Sequence, residues 1–140
     1  MTTAIDTNVI VALWDANDLV SSAANSALDS ALGRGRLLIC APVFAELMAV
    51  PRRGEAFLDG FLRDTGILVD WELDESMWRT AGRAFQAYAA RRRRSRDVGP
   101  RRILADFLIG AHALARECRF LTLDEGLYRA AFPRLDIQAI

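Results

Sequence analysis

Apolar residues along this chain fall into two rhythms. Short unbroken runs around Thr3-Ala4-Ile5, Leu37-Leu38-Ile39-Cys40, Ile67-Leu68-Val69 and Phe120-Leu121-Thr122 lie between turn-forming residues and read as strands, the apolar ones buried on both faces. A last strand is predicted within Leu135–Ile140. Between these runs the apolar positions recur at helical spacing: Val9, Ile10 and Leu13; Ala24, Ala27, Leu28 and Ala31; Met77, Trp78, Ala81, Phe85 and Tyr88. Further helices are predicted between Pro42 and Pro51, over Glu55–Arg63, over Ile103–Cys118 and over Asp124–Phe132. The punctuation agrees. Thr7 or Asn8 can cap the first helix, Gly33 and Gly35 end the second, Gly66 ends the fourth, Asp74 caps the long fifth and Pro133 closes the last. Strands alternating with helices predict an α/β domain with a mainly parallel sheet. In such sheets ligands gather beyond the carboxyl ends of the strands, near the topological switch point.

Composition narrows the chemistry. A chain of 140 residues, 52% apolar and 26% charged, is expected to form a single domain over residues 1–140 with its own core. The 18 basic and 18 acidic residues cancel, so net charge points to no partner. Every basic residue is arginine; there is no lysine. That absence excludes a P-loop and a Schiff-base enzyme, both of which need a lysine amine. Cys40 and Cys118 are far apart, and with His112 the only histidine they cannot build a structural zinc site, so both read as buried, reduced thiols. The start carries no basic region, and its apolar run Val9–Trp14 is far shorter than the ~20 residues of a membrane span. A cytoplasmic protein without a membrane partner is expected.

Two predicted strands end in acids, Asp6 and Asp124, which should project from one rim of the sheet. Two more acids sit early in helices among apolar neighbours, Glu46 in PVFAELMAV and Asp106 in ILADFLIGAHALA. A charge is costly there without compensation. Asp6 or Asp124 taken singly would also suit a helix N-cap. Together the four would repel one another, and a hard divalent cation such as Mg²⁺, or Mn²⁺ in its place, is the usual remedy. Such an ion polarises a phosphoryl oxygen and lowers the pKa of bound water. No Ser, Cys or His nucleophile competes, so the pattern points to metal-assisted phosphodiester hydrolysis.

The pieces AIDTNVIVAL, APVFAELMA, ILADFLIGAHAL and FLTLDEGLYRAAFP, in this order and spacing, resemble the PIN-domain family, and within it the VapC-type toxin ribonucleases of toxin–antitoxin pairs. The resemblance covers almost the whole chain. It implies a three-layer PIN-like fold, a five-stranded mainly parallel sheet between helices, and divalent-metal-dependent RNA cleavage. It implies catalytic roles for Asp6, Glu46, Asp106 and Asp124, with Asp6 and Asp106 as metal ligands and Asp124 helping directly or through water. Thr7, Asn8 and Thr122 fit the polar positions that brace the carboxylates. A homodimer and a cognate antitoxin are implied partners. A receiver domain or a dehalogenase-like phosphatase would need a lysine, and the latter a second aspartate where Asn8 stands. A non-catalytic RNA- or partner-binding module on the same fold is the alternative reading.

The segment Arg91–Arg102 is the one charge block and reads as a loop. Its arginines, Arg91, Arg92, Arg93, Arg94, Arg96, Arg101 and Arg102, are expected to grip RNA phosphates beside the cut site. His112 lies about 240° around the helix from Asp106 and is expected to face away from the acids. Gly110 shares the Asp106 face and is expected to admit a neighbouring backbone.

Overall fold

The computed structural model describes residues 1–96 and 102–140. In chain order its elements are β1 (Thr2–Ile5), α1 (Thr7–Trp14), α2 (Ser21–Arg34), β2 (Arg36–Cys40), α3 (Ala41–Met48), α4 (Gly54–Thr65), β3 (Leu68–Asp70), α5 (Glu75–Ser95), α6 (Leu104–Ala115), β4 (Arg119–Thr122), α7 (Glu125–Ala131) and β5 (Ile137–Ala139). The five strands form one sheet in the order β3-β2-β1-β4-β5, and every pairing is parallel. With seven helices flanking it among the described residues, this is the three-layer α/β arrangement expected. Among the described residues no helix is long and apolar enough to cross a membrane.

The chain runs outward from the central β1 through β2 to β3, then returns to add β4 on the other side of β1. The switch point therefore lies between the carboxyl ends of β1 and β4. Register fixes what meets there: Ile5 pairs with Leu121, and the Asp6 amide donates to the Leu121 carbonyl at 3.0 Å. Asp6 and Thr122 are thus neighbours by sheet geometry. The strands are held by a dry core including Ile5, Ile39, Phe120 and Leu121, with Ile10, Leu47, Leu58 and Phe107 from the helices. Cys40 and Cys118 are free and buried, as expected, and burial pushes the Cys40 thiol up to about 12.

Several local expectations are corrected. The cap of α1 is Asp6 itself, which accepts from the Thr7 amide, and not Thr7 or Asn8. Gly33 lies inside α2, and Gly35 is its C-cap. A Cβ on Gly35 would fall 1.8 Å from the Met1 carbonyl oxygen, so a close backbone approach demands glycine there. Arg91–Arg94 are not in a loop; they complete α5. Arginine is a good helix former, and cations at a helix carboxyl end complement the dipole. Ser95 is the last residue of α5 and Arg96 its C-cap, while residues 97–101 of that expected loop, Arg101 among them, lie outside the described residues. The neighbour of Gly110 is the Phe132 ring rather than a backbone: a Cβ there would meet the ring at 2.4 Å.

Candidate active site

A cleft of about 450 Å³ opens at the switch point, and Asp6, Glu46, Asp106 and Asp124 all line it. Each arrives by a different route. Asp6 follows β1, Asp106 comes from the first turn of α6, and Asp124 from the start of α7. Glu46 comes from the last turn of α3 and not from early in its helix as expected, because α3 is only eight residues long. Four positions spread over most of the chain thus share one depression.

Hydrogen bonds fix the carboxylates. The Thr122 hydroxyl donates to Asp6 Oδ2 at 2.7 Å and accepts from the Asp124 amide at 2.9 Å, so one side chain positions two acids. The Thr7 amide donates to Asp6 Oδ1 at 2.8 Å, and its hydroxyl to Glu46 Oε1 at 2.6 Å. Asn8 Oδ1 accepts from the Leu123 amide at 3.2 Å, tying α1 to the segment just before Asp124. Thr7, Thr122 and Asn8 therefore brace the site, Asn8 through backbone.

The electrostatics are those of crowded anions. Burial first, then the Asp106 and Glu46 carboxylates, raise the Asp6 pKa to about 6, although bonds from Thr122 and Thr7 oppose the shift. Asp106 is raised too, by burial and then by Glu46 and Asp124, with Arg102 working against them. Arg102 pairs with Asp124, Nη1 to Oδ2 at 2.6 Å, and lines the cleft as its one basic side chain among the described residues.

One cleft residue and one buried residue near the acids escaped the sequence reading. Asp18 lines the cleft and accepts from the Val20 amide at 2.9 Å. Tyr128 is buried near the acids, and its hydroxyl, close to Asp6, completes no well-formed hydrogen bond among the described residues. Burial and the charges of Asp6, Asp106 and Asp124 push its phenol far above the ordinary range. Its signal was available: it lies one helical turn after Asp124. His112 stands off the cleft as expected, with Nε2 2.9 Å from Asp70 Oδ2.

The donor set suits a hard divalent cation, since every donor at the cleft is oxygen. The mutual repulsion of the acids and the unsatisfied Tyr128 hydroxyl near them are what a cation and its waters would relieve. As the side chains stand, no three acids among the described residues are drawn into a ligating cluster. Thr7, Thr122 and Arg102 hold them instead.

The PIN domain family model matches residues 3–133. The fold is similar to a chain of VapBC2 from Rickettsia felis bound to a DNA fragment from their promoter, with a TM-score of 0.64 at 17% identity, covering 99% of this chain and 98% of that one. It is similar to a chain of VapBC-1 from nontypeable Haemophilus influenzae (0.63, 15%, 99% and 98%) and of FitAcB from Neisseria gonorrhoeae (0.63, 22%, 96% and 95%). Comparison with curated proteins returns no match.

Proposed function

The chain belongs to the PIN-domain family, and from that premise we propose that it is a single-domain, divalent-metal-dependent endoribonuclease, the cytoplasmic toxin of a toxin–antitoxin pair. One observation carries the reading: acids from four separate segments line one cleft at the switch point, where burial, with the Asp106 and Glu46 carboxylates adding to it, drives Asp6 up to about 6. Asp6 and Asp106, with Asp124, would hold Mg²⁺ or Mn²⁺. Such an ion supplies a polarised phosphoryl oxygen and a more acidic water. Glu46, steadied by Thr7, is placed to orient that water or to hold a second ion. Thr122 keeps Asp6 and the start of α7 in register, and the α5 arginines with Arg102 offset the phosphate charge.

The antitoxin partner is supported by the similar chains, which come from VapBC and FitAcB structures. An apolar face suits it. Val11 lines both the acidic cleft and a neighbouring depression with Trp14, Val50 and Pro51, and half-exposed Phe57 packs on Trp14. A homodimer is part of the same reading.

Purified protein incubated with RNA tests the proposal. Cleavage should require Mg²⁺ or Mn²⁺ and stop with chelator. Asp106→Asn should cost about 10²-fold or more, and Thr122→Val the ~10–100-fold of a bracing residue. RNA breakdown that survives chelator or Asp106→Asn would overturn the mechanism.

A further inference from the structure

Outside the acidic cleft, one stripe of α5 changes character along its length. Phe85, Tyr88, Ala89, Arg92 and Arg93 recur at i, i+3, i+4, i+7 and i+8, a single helical face, and the C-cap Arg96 follows just beyond it. All six line one groove of about 610 Å³, whose other wall is Arg102 and Ile103. The arginine block is therefore the basic continuation of an aromatic stripe. Arg91 and Arg94 fall off that face and do not line the groove.

The floor is rigid. The Phe85 and Tyr88 rings pack on buried Phe107 with centroids 5.1 and 5.5 Å apart, and the Tyr88 hydroxyl accepts from the Arg102 amide at 2.9 Å. Ile103 at the mouth is 56% exposed, an apolar side chain left in water. Among the described residues no acid lines the groove, and Arg102 lines the acidic cleft as well, so the two depressions share a wall.

This combination selects an occupant. Arginines suit phosphates, a flat apolar floor suits the face of a base, and the volume falls in the ~300–1,000 Å³ range of small-ligand sites. An acidic peptide would use the arginines but has no planar group for the floor. Bases within an A-form duplex are stacked and cannot enter.

We propose that this groove is a nucleotide subsite holding one unpaired RNA nucleotide beside the scissile bond. Its phosphate lies against Arg93 and Arg96, and its base between the Phe85–Tyr88 floor and Ile103. The inference rests on the ribonuclease reading and adds to it a preference for single-stranded substrate.

The test is fluorescence anisotropy of a short labelled single-stranded RNA on the full chain, in chelator so that nothing is cut, across a salt series. Arg93→Gln with Arg96→Gln should weaken binding about tenfold and lower the salt slope by about 0.7, the loss of one neutralised phosphate on a single strand. Ile103→Ala, at an exposed site, should weaken binding about threefold and leave the slope unchanged. Duplex RNA of the same length should bind more weakly and be indifferent to Ile103→Ala. An unchanged slope in the arginine variant, equal loss on duplex, or an acidic peptide displacing the RNA from wild type but not from that variant would each overturn the subsite. Wild type that cleaves RNA with Mg²⁺ while the arginine variant binds and cleaves like it leaves the ribonuclease reading standing and removes only the subsite. Wild type that neither binds nor cleaves RNA removes both.

Discussion

Two carboxylates at the carboxyl ends of neighbouring regions of the sheet have opposite fates. Asp70 ends the edge strand β3, and Asp6 follows the central β1. Burial pushes Asp70 up, but donors from His112, the Glu72 amide and Arg116 outweigh it and hold the carboxyl down at about 2. His112 Nε2 and Arg116 Nε both reach Asp70 Oδ2, at 2.9 and 2.8 Å. Burial pushes Asp6 up as well, and against it Asp6 receives only a hydroxyl and an amide, with no side-chain cation among the described residues. Its two carboxylate neighbours add to the rise, so it stands at about 6. The chain compensates the first acid from its own residues and leaves the second undercompensated. A fold spends stability in that way where a site needs charge for something outside the chain.

Neutralising each acid separates the two roles. Asp6→Asn should abolish RNA cleavage, by about 10²-fold or more, and in metal-free buffer at pH 7 should raise stability by about 1–3 kcal/mol, because it removes a repelled, buried charge. Asp70→Asn should leave cleavage intact and lower stability by about 1–3 kcal/mol, because His112 and Arg116 lose an ionised acceptor. Denaturant melts and a cleavage assay on both variants check this. Stability changes of the same sign would remove the contrast.

The same pair predicts how stability follows pH in chelator. Asp6 binds its proton more tightly folded than unfolded, so its ionisation opposes folding. Stability should climb as pH falls from about 7 toward 4, by at most about 3 kcal/mol for a displacement from 3.8 to about 6. Asp70 is displaced downward, so its contribution is complete above pH ~4 and is lost as pH falls toward 2. Wild type should therefore be most stable near pH 4–5. Asp6→Asn should be flatter than wild type on the alkaline side of that maximum, keeping only what Asp106, raised as well, contributes. A slope as steep as wild type's would show that Asp6 does not carry it.

What the sequence disclosed follows from how local each signal is. Asp6, Glu46, Asp106 and Asp124 were legible because each stands at a strand end or among apolar helix residues, where a charge is conspicuous. The all-parallel sheet was legible because runs such as LLIC and ILV have no polar face. The pairing of Arg102 with Asp124 was not, because it joins positions on opposite sides of α6 and β4 and only packing brings them together. Tyr128 was passed over because an aromatic one turn along a short helix looks like core, which it also is. The arginines of α5 read as a loop because a run of like charge ordinarily repels itself out of structure. Here the aromatic half of the stripe anchors the helix, and the run continues it.

Arg102 is the finest probe of undercompensation, since it is the one side-chain cation the cleft holds among the described residues. Its guanidinium lies on Asp124 and lowers the charge felt at Asp106, so it competes with any divalent ion for the same oxygens. The pair is partly exposed, with 43% and 28% of the two side chains open to water, and such pairs contribute about 0.2–1 kcal/mol. Removing the competitor should tighten Mn²⁺ binding by that amount, up to about fivefold, when Arg102→Gln is compared with wild type by titration calorimetry. Arg102→Lys keeps the charge but not the forked geometry and should fall between them. The same Arg102→Gln protein should bind RNA more weakly, because Arg102 also walls the groove beside α5. Mn²⁺ affinity that stays equal or weakens in Arg102→Gln would mean the guanidinium supports the acids as an ion ligand's neighbour rather than standing in the ion's place.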